Sequence, residues 1–177
     1  MARDPVEVMG NVVAQEVSRL QSQHDHDMVF DALAIAEAER RRSRLADRLE
    51  AAVGLTIGVH LPGERLSGSV RAAGAEVVVI ESLGQITAVA VGSVMSVEGL
   101  PMALRAEHQQ PPLARVTWST VMREWSDSVL IRFTLSDGRC VAAWVDSVGS
   151  DHLDLRDSGG ESLVVLLSAI RKATISR

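Results

Sequence analysis

The second two thirds of this 177-residue chain repeats itself, and that repetition limits the fold more than any other feature of the sequence. Ile57, Val59 and Leu61 match Ile131, Phe133 and Leu135 at a shift of 74. Gly63, Leu66, Val70, Gly74 and Ile80 match Gly138, Val141, Val145, Gly149 and Leu155 at 75, one residue having entered the hairpin between Leu135 and Gly138. Val89, Val94 and Val97 match Val165, Ile170 and Ala173 at 76, the further residue falling in the turn 158–160. Insertions confined to turns are what a duplicated β-unit shows.

Within each copy, short Val, Ile and Leu runs alternate with glycine or polar turns, as strands of a small, bent sheet do. Strands are expected at 55–61, 65–72, 77–81, 85–91 and 94–97, and again at 129–135, 139–146, 152–156, 162–167 and 170–175. Five strands of this length expose two edges, and curling until the sheet closes hides them. Gly68 is expected at the sharpest bend of the second strand, where a side chain would collide with the curling sheet. Each copy also follows a helix. Leu45, Leu49 and Val53 stripe the one that Gly54 ends, and Trp118, Val121, Met122 and Trp125 share one face of a second over 117–125, expected to seal against the second barrel. Between the copies, residues 98–112 hold three of the five prolines and read as a linker.

The first 53 residues have a helical period instead. Val6, Met9, Val13, Val17 and Leu20 recur at steps of three and four, forming one apolar stripe that needs a cover: the chain's own barrels, a second subunit or a foreign protein. The polar run 21–27 interrupts the pattern, and a second helix is expected over 28–53 with Asp27 as its N-cap. Arg40, Arg41, Arg42 and Arg44 on that helix are the one candidate nucleic-acid contact. Glu37, Glu39 and Asp47 stand three or four residues from arginines of this stretch, with Glu50 on the same helix, so a solvated, internally paired face is the simpler reading.

Composition removes several function classes. The net charge is −5, and 18 basic side chains, all but Lys172 arginine, are outnumbered by 23 acidic ones, which gives no long-range attraction to a polyanion. Apolar runs reach about five residues, far short of the ~18 needed to span a bilayer, so no membrane association is expected. The single cysteine, Cys140, permits no internal disulfide; it falls inside a strand and is expected to be buried or half-buried. With no leader segment apparent, the expected setting is the cytoplasm. Phosphate-cradling and nucleophile-elbow motifs are absent. His24 and His26 with Asp25 and Asp27 are read as a polar inter-helix turn rather than a metal site, and His60, His108 and His152 are isolated from one another. No catalytic, cofactor or metal residue is therefore assigned.

Apolar alternation followed by Gly63, Gly68 and Val70 at these spacings resembles the Sm-like small β-barrel. The Leu45, Leu49, Val53 helix and the phrase Asp146-Ser147-Val148-Gly149-Ser150-Asp151 resemble actinobacterial two-barrel proteins, some of them labelled Fis-type regulators. Fis-type proteins end in a helix-turn-helix, whereas this chain reads as strand over 162–175. Sm-like proteins read RNA with an Asp, an Asn and an Arg-Gly pair. Those positions fall here on Gly74 and Val77 or Val78, on Gly149 and Leu153, and on Val91-Gly92 and Leu167-Ser168. The Asp, Asn and Arg side chains that read unstacked bases are missing from all of them.

The expected architecture is thus α+β: a helical arm (1–44), a five-stranded Sm-like barrel with its leading helix (45–100), a linker (101–114) and a second such barrel with its helix (115–177). The expected function is a non-enzymatic, cytoplasmic protein–protein interaction or scaffolding module. It would act through an unknown protein partner met by the first helix and the barrel edges, or self-associate through the N-terminal helix. A nucleic-acid-binding regulator using the arginine-rich second helix is the alternative.

Overall fold

The structure is a computed structural model that describes residues 44–101, 116–126 and 129–176. The stripe Val6 to Leu20, the His24–His26 turn and Arg40, Arg41 and Arg42 lie outside the described residues. Residues from Arg44 onward form one unit. It begins with helix α1 (Leu45–Ala51), followed by β1 (Thr56–Leu61), β2 (Glu64–Ala73), β3 (Val77–Ser82), β4 (Gln85–Ala90) and β5 (Ser96–Glu98). Helix α2 (Trp118–Trp125) then leads into β6 (Ile131–Leu135), β7 (Cys140–Val148), β8 (His152–Asp157), β9 (Ser162–Leu166) and β10 (Ile170–Ser176). No helix among the described residues is long and apolar enough to cross a membrane.

All ten strands belong to one open antiparallel sheet in the order β5-β1-β2-β3-β4-β10-β6-β7-β8-β9. This corrects the expectation of two separate, closed five-stranded barrels. The cause lies at β4, whose far edge is filled by the last strand of the second copy: Gln85 to Val89 pair with Ser176 to Lys172. An edge satisfied by another part of the same chain leaves no unpaired groups to drive closure, so the sheet continues across the repeat boundary.

Duplication is nevertheless written in the registers. Gly58, Val59 and His60 face Glu98, Val97 and Ser96, and their counterparts Arg132, Phe133 and Thr134 face Thr174, Ala173 and Lys172. The β2–β3 ladder slips between Val70 and Ala72, and the β7–β8 ladder slips 75 residues later, between Val145 and Ser147. Two loop bonds recur as well: Val91 N–H donates to the Glu76 carbonyl and Leu167 N–H to that of Asp151, both at 2.8 Å.

Two cores explain why the copies cannot be separate bodies. On one side of the first copy, α1 places Leu49 against Ile57, Val59, Val78, Ile80 and Val89. On its other side Val77, Val79 and Ala88 join α2 and the interior of the second copy, Ile131, Phe133, Leu153, Leu155 and Val165. Strand β3 is consequently buried on both faces over Val77 to Ile80. Helix α2 starts at Thr117, whose hydroxyl accepts from the Thr120 N–H at 3.2 Å, and it buries Trp118, Val121, Met122 and Trp125. The two tryptophans therefore seal a core shared by both copies, rather than one barrel.

Candidate functional site

An open sheet has two ends, and here they differ in chemistry. The β5 end is short and ionic. Three residues form it before Gly99, at φ +79°, turns the chain away. Glu98 accepts from Arg65 Nη2 at 2.7 Å and lies 2.9 Å from His60 Nε2. Those two hydrogen bonds, Arg65's first, hold the Glu98 carboxyl below the usual carboxylate range. Short length and charge are how sheet edges are protected from stray pairing.

The β9 end is apolar. Along Ser162-Leu163-Val164-Val165-Leu166 only Val165 is buried; Leu163 is 36% exposed, Val164 64% and Leu166 53%. Strand β8 lies on one side of β9, and among the described residues no strand lies on the other. Register with β8 sorts the side chains. Leu163 and Val165 lie opposite the core residues Leu155 and Leu153, while Ser162, Val164 and Leu166 lie opposite Arg156, Asp154 and His152 on the other face. The counterparts of Asp154 and His152 in the first copy are Val79 and Val77, which α2 covers. Polar residues at those places in the second copy match a face that neither described helix covers.

Beside the last residue of β9 opens a cleft of about 650 Å³, lined by Trp118 and Ser119 of α2, by Glu76, and by Asp151, Leu166 and Ser168 among others. Asp151 Oδ1 lies 2.8 Å from His152 Nδ1. This hydrogen bond lowers the Asp151 carboxyl and raises the His152 imidazole from their ordinary values. Gly149 makes room for that ring, because a Cβ there would come 2.6 Å from His152 Cε1. No described hydroxyl or thiol hydrogen-bonds the imidazole. No group of three or more His, Cys, Asp or Glu that could hold a metal occurs among the described residues. A smaller hollow of about 380 Å³ lies between α2 and the first copy, lined by Val79, Ile86, Val121 and Trp125 together with Arg71 and Glu124.

Of the candidate residues read from the sequence, Arg44 alone is described. It is the exposed N-cap of α1, and its backbone N–H donates to Asp47 Oδ2 at 2.7 Å. Cys140 is exposed at the start of β7, correcting the expectation of a buried or half-buried thiol: Ala143, three residues on, is the first fully buried position of that strand. Sequence reasoning expected a strand over 162–167 and contacts at barrel edges, but did not single out β9 as the edge. The available signal was the unbroken apolar run 163–167, since a strand with one wet face should alternate. No protein-family model and no curated protein matches this chain.

Proposed function

We propose that the chain is a non-enzymatic, cytoplasmic interaction protein whose ten-stranded sheet receives an extended protein segment along β9. The observation supporting this reading is the end strand itself. Its outer main chain, which no described strand pairs, can add a further strand by hydrogen bonding, and exposed Leu163, Val164 and Leu166 offer the apolar contacts that give such pairing affinity. Strand addition at an edge needs no catalytic group and places a partner on a rigid frame, which suits a scaffolding role.

Affinity capture from the native host with the parent chain and with Val164→Lys tests the reading. A lysine beside the unpaired main chain keeps the fold, because the position is largely exposed, and opposes strand addition through charge. The expected result is a protein partner retained after nuclease treatment and lost with Val164→Lys. A partner set unchanged by Val164→Lys would overturn the reading, and a set released by nuclease would favour the arginine-rich helix as the contact.

A further inference from the structure

The internal joint, where β4 is filled by β10, shows how a strand of the β4 type meets the next one, and its counterpart β9 is filled by no described strand. The equivalence invites a head-to-tail joint in which β9 takes β5 of another copy, but the residues oppose it. The shifts of 75 and 76 would set Leu163 across from Glu98, where the internal joint sets Thr87 across from Thr174, hydroxyl to hydroxyl at 3.2 Å. They would also replace the Lys172–Glu64 ion pair by Ser96 and Arg139. Furthermore, β10 brings five residues to its pairing with β4, whereas β5 has three before Gly99.

Strand β9 complements itself. We propose that its occupant is β9 of a second copy, paired antiparallel about Val164, so that two sheets join into one across a two-fold axis; this rests on the reading of β9 as the contact edge. In that register Leu163 stands opposite the partner copy's Val165, and Ser162 opposite its Leu166. Residues directly opposite share a face, so the row Leu155, Leu163, then Val165 and Leu153 of the second copy extends the core layer and covers the half-exposed Leu163. On the other face the two Val164 side chains meet at the axis. The two Asp154 carboxylates stand three strand spacings apart, about 14 Å, beyond a screening length at physiological salt. No like charges are brought together, and the apolar positions of β9 are the ones that become covered. An isologous joint also closes after two copies.

The test uses the full chain with Cys140→Ser as background, which removes the one native thiol. Opposed residues of an antiparallel pair have Cα atoms roughly 4.5–5.5 Å apart, within disulfide range, so Val164→Cys should cross-link to itself under mild oxidation. The expected results are a two-subunit mass by light scattering for the parent, a twofold drop with Val164→Lys at unchanged circular dichroism, and a covalent dimer for Val164→Cys but not for Val97→Cys. A parent of single-chain mass whose Val164→Cys form does not cross-link overturns the self-pairing. So does a mass unchanged by Val164→Lys, or cross-linking only when Val164→Cys and Val97→Cys copies are mixed. Loss of the self-pairing together with a captured partner that depends on Val164 would leave β9 as a contact edge for a foreign strand, which separates the two failures.

Discussion

Lys172 on β10 reaches Glu64 at the start of β2, 108 residues earlier in the chain, with Nζ 2.5 Å from Oε2 and both side chains mostly buried. Strands β3 and β4 lie between β2 and β10 in the sheet, so this contact spans a strong curl. The counterparts of these residues in the other copy are Ser96 and Arg139, so the pair belongs to the joint between the copies and not to the repeated unit. Replacing one partner leaves the other's charge or hydrogen-bonding group unmatched. Glu64→Gln or Lys172→Met should each lower stability by about 1–3 kcal/mol in urea denaturation. The double variant should lose less than the sum of the two. Two single variants with the parent's midpoint would remove this contact from the account of the joint.

Gly68 differs from a tolerant glycine in what surrounds it. A Cβ there would run into the Glu81 carbonyl and lie 2.8 Å from Ile80 Cγ2, while Gly92 has open space and an ordinary backbone. The ladder slips at Val70–Ala72 and not at Gly68, so close approach of β3, and not the bend, requires this glycine. Gly68→Val should cost more than about 1 kcal/mol, and Gly92→Ala should be nearly neutral. Equal denaturation midpoints for the two variants would refute the distinction.

His152 titrates above its ordinary 6.5 because Asp151 accepts its proton in a hydrogen bond. A raised folded-state value means that this interaction is fully present below the unfolded pKa and is lost as pH rises through the folded one. For Asp151, whose value is lowered, the contribution is present above the unfolded pKa and is lost as pH falls through the folded one. Asp151→Asn should bring the His152 ring signal in an NMR titration back toward the ordinary midpoint, with the fold intact. A midpoint that does not move would show that the pair is not formed in solution.

How much of this was legible in the sequence divides along one line. Apolar alternation and turn glycines are local, so the ten strands and the shifts of 74, 75 and 76 could be read residue by residue; the matching slips at Val70 and Val145 show only in the registers. Closure is not local. Nothing along 85–90 distinguishes an edge that curls back on its own copy from one that accepts β10. The clue was double-sided burial, a continuous Val77-Val78-Val79-Ile80 where a barrel strand with a wet face would alternate. The same reasoning locates the miss at β9: Val164 and Leu166 break alternation, which marks a covered face or a docking edge, and only the topology shows that they stand at the end of a sheet.

If the copies share one core, neither should fold without the other. Residues 116–177 alone would expose the β10 edge that β4 fills and would uncover α2 where Val77, Val79 and Ala88 pack, in place of closing into a barrel. Residues 44–101 alone would keep Leu49 and its cluster but leave the other faces of β3 and β4 wet. Expressed separately, each half should show no cooperative thermal transition, because an apolar face and a bare strand edge are stripped at once. Mixed, the two halves should recover a single transition and the mass of a complex, since the cores and the β4–β10 ladder can re-form between chains. Two halves that each melt cooperatively as monomers, with nothing gained on mixing, would instead make the copies independent barrels and the joint between them incidental.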